Sequence, residues 1–345
     1  MLRQGVDSRH EKWVLGLPVQ ALVYTFIALA AAGVGATAYY GLTFTPAEAI
    51  LVATVFGCVC VVMLERILRQ RSENRLERAI EDLSRLLATD AQAGAVLGQR
   101  TAEMHKALAV DTTEPDFVVE RLQQGDVADW AHAAVSEAES LLDRLAQRLE
   151  TLPPSARALA EQVLGQRDRM IARIKAALAL PPSGGRSRIH GDYHLGQVLA
   201  CDGDVMIIDF EGEPSRSLAE RRAKSSPLRD VAGMLRSFHY AAWTALDRVR
   251  QQTGAVPDAS RARAEHWRRR VTTDFIAAYQ EHVAGAASYP DDPTVAKALT
   301  DLFVIQKAIY EVGYELANRP DWVEIPLSGI LDLLDEGDSP EKMQL

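Results

Sequence analysis

The sequence predicts a mainly helical protein with one small β-hairpin, preceded by an apolar segment of membrane type. Three observations carry this expectation. Apolar residues recur at three- and four-residue spacing over most of the chain after Glu65, the period of an amphipathic helix. An Asp-Gly pair splits the apolar stretch "VLACDGDVMII", a strong hairpin signal. Two uncharged apolar runs, residues 13–44 and 49–64, come before any of this. The first is long enough for a membrane helix and the second is near the lower limit of about 20 residues.

Those runs make residues 1–64 a candidate transmembrane helical hairpin. "YYGLTFTP" between them reads as a turn with interfacial tyrosines. Arg3, Arg9 and Lys12 precede the first run. Arg66, Arg69, Arg71, Arg75 and Arg78 follow the second, and the turn has no Lys or Arg. The positive-inside rule then places both termini in the cytoplasm. A cleaved signal peptide and a buried soluble hairpin are the competing readings. Residues 65–96 read as an amphipathic stalk helix, with Ile67, Leu68, Leu76, Ile80, Leu83, Leu86 and Leu87 on one face. Such a stalk packs on itself or on a twin chain, which would permit a homodimer; a signal-transmitting stalk is the competing reading.

Composition excludes some functions. The chain has 345 residues, 48% apolar and 25% charged, with a net charge of −9. That length supports one or two domains with a real core. The acidic balance opposes a nucleic-acid partner, which would require a basic face. Cys58, Cys60 and Cys201 form neither a disulfide framework nor a zinc spacing. No internal repeat occurs.

In the body, helices are expected over 99–108, 126–151 and 155–180, the last two separated by Pro153 and Pro154, with Ser155 as N-cap. His105 is expected to pack inside the first. "HWRRRVTTDFIAAYQEHVAG" and "TVAKALTDLFVIQKAIYEVGYELANR" predict two more helices. Residues 332–345 are acidic and polar and are expected to fray.

The chemistry concentrates between Arg188 and Pro214, in "RIHGDYHLGQVLACDGDVMIIDFEGEP". Short strands are expected over 188–190, 197–200 and 205–208, so that the hairpin brings Gln197 close to Asp209. Asp192 stands five residues before Gln197, and Asp209 follows. Phosphoryl transfer uses this set: one carboxylate orients the attacking hydroxyl, while an amide oxygen and a second carboxylate hold magnesium on the phosphates. A kinase-like large lobe over residues 97–345 is the reading that follows.

Three blocks in order, "HGDYHLGQVL", "IIDFEGEPSRSLAERRAKSSPLRDVAGMLRSF" and "KAIYEVGYELANRPDWVEIPLSGI", resemble bacterial maltokinase, and "LGQRTAEMHKAL" resembles that family's first helix after its small lobe. The resemblance implies an aminoglycoside-phosphotransferase-like fold and transfer of the ATP γ-phosphate to maltose or a related sugar, with Mg2+. It implies Asp192 as catalytic base, Gln197 and Asp209 as magnesium holders, and His194 and Glu211 in the same site. Tyr310 and Tyr314 would touch the sugar, and Asp230 and His190 would brace the catalytic loop. Arg229 and Arg236 would pair with nearby acids. The bacterial inner membrane, with the kinase-like domain on the cytoplasmic side, is the implied location.

A complete kinase also carries a small lobe with a glycine-rich strand pair and a strand lysine. Before His190 only Lys12, Lys106 and Lys175 occur, and no alternating strand run lies between Glu65 and Arg188. The sequence therefore predicts a large lobe behind a membrane anchor, with little turnover unless a partner chain supplies the nucleotide lobe. The alternatives are a membrane-anchored pseudokinase that binds sugar or protein without catalysis, and the product of a gene rearrangement or truncation with no settled role.

Overall fold

The computed structural model describes residues 13–14, 17–18, 92–110, 112–201, 203–214 and 216–336. The chain divides into two units, Met1–Leu76 and Glu77–Leu345. In the first, β1 (Trp13–Val14) pairs antiparallel with β2 (Leu17–Pro18). The helix expected from Trp13 onward is thus corrected at its start. Pro18 lacks an N–H and suits an edge strand. The rest of the hairpin and most of the stalk lie outside the described residues. Among the described residues, no helix is long and apolar enough to cross a membrane.

The second unit is mainly helical. Its helices are α1 (Ala93–Ala107), α2 (Gln124–Arg148), α3 (Pro154–Gly165), α4 (Arg167–Lys175), α5 (Leu218–Arg222), α6 (Leu228–Thr253), α7 (Asp258–Val283), α8 (Pro293–Asn318) and α9 (Glu324–Glu336). Two small antiparallel sheets accompany them: β3 (Glu120–Arg121) with β4 (Gly185–Arg186), and β5 (Val198–Cys201) with β6 (Asp204–Ile207). One continuous core joins Leu97, Leu141, Leu195, Met234, Phe238, Phe275 and Phe303.

Two glycines let α1 lie very close to α7. A Cβ at Gly98 would sit 2.3 Å from the Phe275 carbonyl oxygen, and one at Gly94 3.1 Å from that of Val271. Seven residues beyond Gly98, on the same helical stripe, comes His105. Helix α6 packs against both α7 and α8 and turns another face to the loop before β5.

Several boundaries differ from expectation for local reasons. The helix expected over 155–180 breaks at Gln166, just after Gly165, into α3, α4 and a final 3-10 turn, Ala176–Ala179. Ser155 does not cap it. Pro153 stands at that position, and the Ser155 hydroxyl bonds Glu324. No strand forms over 188–190, because the His190 N–H is taken by Asp230 and only Ser187 makes a bridge, to Ser225. Helix α9 runs through Glu336, so residues 332–336 are ordered where fraying was expected.

The hairpin forms as expected. Val198 faces Ile207 and Cys201 faces Asp204. Gly203 has φ +83°, the left-handed conformation that a tight two-residue turn requires. Arg100 on α1 grips Asp204 with two bonds, of 2.8 and 2.9 Å, and so anchors the hairpin tip.

Candidate active site

The loop between β4 and β5 is held from three sides. From α6, Asp230 accepts the N–H of His190 at 2.7 Å and that of Gly191 at 2.9 Å, and Ser237 Oγ accepts the N–H of Leu195 at 3.0 Å. From α1, Thr101 Oγ1 and the Tyr193 hydroxyl meet at 2.8 Å. Thr101 already donates to the Leu97 carbonyl, so Tyr193 is the donor. Burial pushes the Tyr193 phenol up, so it remains protonated. From the hairpin, the Ile208 carbonyl lies 2.9 Å from His190 Nε2. His190 Nδ1 accepts the Asp192 N–H at 3.3 Å, so its Nε2 carries the proton.

Gly191 has φ +82° where the loop turns to present Asp192. Gly233 permits the close approach of α6, since a Cβ there would lie 2.5 Å from the Tyr193 carbonyl oxygen. Asp230 is 2% exposed. Burial raises a carboxyl, yet the hydrogen bonds from His105 and from the Gly191 N–H outweigh it, and Asp230 sits below its usual range. It is an ionised clamp.

Asp192 has the opposite balance. Burial first, and then the Glu213 charge, push it up to about 6, against the opposing pull of Lys307 and His190. His194 Nε2 lies 3.8 Å from its Oδ2. Burial, with help from Lys307 and His190, lowers His194 to about 3, so this imidazole is neutral. Its Nδ1 accepts the Gly196 N–H at 3.0 Å and caps the short turn that delivers Gln197.

Gln197 and Asp209 meet as the hairpin predicts, with Gln197 Nε2 3.3 Å from Asp209 Oδ2. Rotating the amide by half a turn would present Oε1 there instead, since the two ends of a Gln amide are interchangeable. One amide oxygen and one carboxylate suit a hard, oxygen-seeking cation that keeps its other positions for water and phosphate. Asp209 has φ +65°, and no other non-glycine among the described residues has a positive φ. Such strain collects at functional sites. Among the described residues no three His, Cys, Asp or Glu side chains cluster as a complete metal cage.

The cluster around Tyr310 was only partly foreseen. Tyr310 and Tyr314 stack with ring centroids 6.5 Å apart. The Tyr310 hydroxyl reaches Glu213 at 3.4 Å, and Lys307 lies 3.7 Å from the same carboxylate and 5.0 Å from the Tyr310 ring. Glu211 is exposed, and its carbonyl oxygen, accepting from Arg221, is the group with a described contact. Glu213, two residues on in "DFEGEP", stands in the cluster instead. Arg236 pairs with Glu311 at 2.8 Å as expected. Arg229 bonds Ser225 and Gln306, and lies over the Phe303 ring, rather than pairing with an acid. A cavity of about 290 Å³ lies between α6, α7, α8 and α9, but none of Asp192, Gln197, Asp209 or Glu213 lines it.

No protein-family model matches the chain. It is similar to the glucosamine kinase of Streptacidiphilus jiangxiensis, with 28% identity over 246 residues, 70% of this chain and 49% of that protein. It is also similar to the glucosamine kinase of Mycolicibacterium smegmatis, with 28% identity over 250 residues, 70% of this chain and 54% of that protein. A solved glucosamine kinase in complex with glucosamine, ADP and inorganic phosphate superposes with TM-score 0.58 and 26% identity, covering 76% of this chain and 61% of that one. A second crystal form of glucosamine kinase gives TM-score 0.59 and 25% identity over 75% and 59%.

The chain thus spans about half the length of the curated relatives it matches. Its mainly helical body with small sheets shares the glucosamine kinase fold. The resemblance to maltokinase is corrected accordingly: these similar proteins are glucosamine kinases. The physical reason is that "HGDYHLGQVL" and "IIDFE" set an acid, an amide and a second acid at kinase-like spacing. They do not encode which sugar enters.

Proposed function

We propose that this chain carries the catalytic and acceptor-binding side of an ATP-dependent sugar phosphotransferase whose acceptor is an amino sugar such as glucosamine. One observation carries the reading. A half-buried carboxylate pushed up to about 6, Asp192, stands on a loop clamped by Asp230, beside the facing pair Gln197 and Asp209. The similar glucosamine kinases support the acceptor class. So does the chemistry of the cluster, because the Glu213 carboxylate already holds one ammonium, that of Lys307.

In this reading Asp192 accepts the proton of the acceptor hydroxyl as its oxygen bonds to the γ-phosphorus. The bond to the bridging oxygen breaks, and its electron pair leaves with ADP. Gln197 and Asp209 would hold Mg2+, which when bound neutralises charge on the phosphates. Neutral His194 lines the floor without adding a charge beside Asp192. Tyr310 and Tyr314 offer a stacked aromatic face to the sugar, and Glu213 accepts from its ammonium.

The test is phosphate transfer from magnesium-ATP to glucosamine, glucose and maltose by the purified full chain, beside Asp192→Asn. Turnover with glucosamine that vanishes in the variant supports the reading. Glucosamine binding that persists in both, without turnover, leaves a sugar-binding module.

A further inference from the structure

We propose that Tyr279 is a positioning residue for the Asp192 loop, acting through His105 by holding its ring so that Nε2 faces Asp230. As a statement about the reaction this rests on the phosphotransferase reading.

Three helices meet at one fully buried imidazole. His105 of α1 is 0% exposed. Its Nε2 lies 3.1 Å from Asp230 Oδ2 of α6, and its Nδ1 lies 2.8 Å from the Tyr279 hydroxyl of α7. Ionised Asp230 can only accept, so Nε2 must bear a proton. In the singly protonated ring Nδ1 is then the acceptor, and the Tyr279 hydroxyl donates to it. Burial keeps that hydroxyl protonated, with Tyr289, Asp230 and Tyr193 adding to the effect. The phenol thus engages Nδ1 and keeps Nε2–H aimed at Asp230.

The consequence passes down a chain of hydrogen bonds. Asp230 Oδ2, which faces His105, is the same oxygen that accepts the His190 N–H at 2.7 Å, while its Oδ1 takes the Gly191 N–H. Asp192 follows directly. A rotated or re-protonated His105 would pull Asp230 Oδ2 away from the loop or leave it short of a donor. The geometry also explains why α1 and α7 touch so closely at Gly98, where a Cβ would lie 3.0 Å from the Tyr279 backbone nitrogen. Any spreading of those helices would take the phenol off the imidazole. Tyr279 itself is locked by a stacked Phe275 ring at 6.3 Å and an edge-on Tyr289 ring at 5.9 Å.

The test uses the full chain with 15N-labelled histidine, comparing wild type with Tyr279→Phe, which keeps the ring and its packing. In the wild type, His105 shows a protonated Nε2 and a bare Nδ1. In the variant Nδ1 loses its hydrogen-bond donor and its nitrogen shift moves, and the amides of His190 and Gly191 exchange with solvent about tenfold faster, the worth of one buried hydrogen bond. Amides within α7 keep their protection, which separates the effect from local unfolding. His105→Gln supplies the control: adding Tyr279→Phe in that background changes loop exchange by less than about twofold. In turnover, the acceptor KM holds while kcat falls. A wild-type Nδ1 that carries a proton overturns the proposal. So does a Tyr279→Phe protein with unchanged Nδ1 shift and loop exchange, or a full effect persisting in the His105→Gln background. If the wild type turns over no sugar, the phosphotransferase reading fails, while the nitrogen shifts and amide exchange still decide the role of Tyr279.

Discussion

Asp230 grips the backbone of His190 across 40 residues of sequence, its Oδ2 2.7 Å from the His190 nitrogen. Its other oxygen takes Gly191, and His105 supports it from behind. Removing this carboxylate strands two loop N–H groups and an imidazole N–H in the core. Asp230→Ala should therefore cost about 3–5 kcal/mol, as stranding several buried donors does. Asp230→Asn, which keeps one acceptor oxygen, should cost less and still lose most turnover. Urea unfolding followed by tryptophan fluorescence reads the first effect. Equal stability of wild type and Asp230→Ala would sink the clamp.

Asp192 predicts a pH dependence in both activity and stability. As the proposed base it must be ionised, so kcat/KM should rise through an acid limb near pH 6 and level off above it. For stability the sign runs the other way. The folded value, about 6, lies above the ordinary value of 3.8, so the folded state holds a proton that the unfolded chain releases. Wild-type stability then falls as pH rises from about 4 to 6, with the whole penalty in place above that window. Asp192→Asn lacks the penalty. It should match wild type at pH 4 and exceed it at pH 8 by about 1–2 kcal/mol, discounted for partial solvent access. Thermal melts at the two pH values check this. Replacing His194 by Gln should leave the acid limb in place, because that imidazole is already neutral there.

Gly233 tests the fit between α6 and the loop. A methyl at 233 would meet the Tyr193 carbonyl oxygen at 2.5 Å, and that atom is backbone, so it cannot swing aside. Gly233→Ala should cost about 1–3 kcal/mol from overpacking, despite the better helix propensity of Ala. The loop carrying Asp192 has to shift, so kcat should fall more than acceptor affinity does. A variant as stable and active as wild type would show that the loop has slack.

Much of this site was legible because its signals are local. The Asp-Gly turn at 202–203 and the five-residue spacing from Asp192 to Gln197 placed the amide beside Asp209, and the structure puts them 3.3 Å apart. Tyr310 and Tyr314 share a face for the same reason, a helical period. What the sequence could not show depends on tertiary contact. Lys307 sits in the apolar periodicity of α8 like any surface lysine, and nothing nearby announces Glu213 as its partner. Glu211 and Glu213 are equivalent in the string "DFEGEP", and Gly212 at φ +75° between them changes the chain's direction. His105 read as packing because its two polar partners lie 125 and 174 residues away. The break after Gly165 had a visible cue in the glycine itself, yet a helical period on both sides masked it. The maltokinase resemblance misled because the quoted blocks share a spacing of acids and an amide that says nothing of the sugar.

Glu213 is where acceptor choice can be probed. It holds Lys307 at 3.7 Å, receives the Tyr310 hydroxyl at 3.4 Å, and its charge helps to raise Asp192. Glu213→Gln keeps the shape and removes the charge. Two changes should follow together. The acid limb should move to lower pH, since one of the groups raising Asp192 is gone. The glucosamine KM should rise about ten- to a hundredfold, the worth of a charge-assisted hydrogen bond, while the KM for glucose changes little. Steady-state kinetics with both sugars across pH 5–8 measures both effects at once. Loss of the two sugars in equal proportion would mean that Glu213 reads a hydroxyl common to both. A shifted limb with no change in selectivity would confine its role to the field around Asp192.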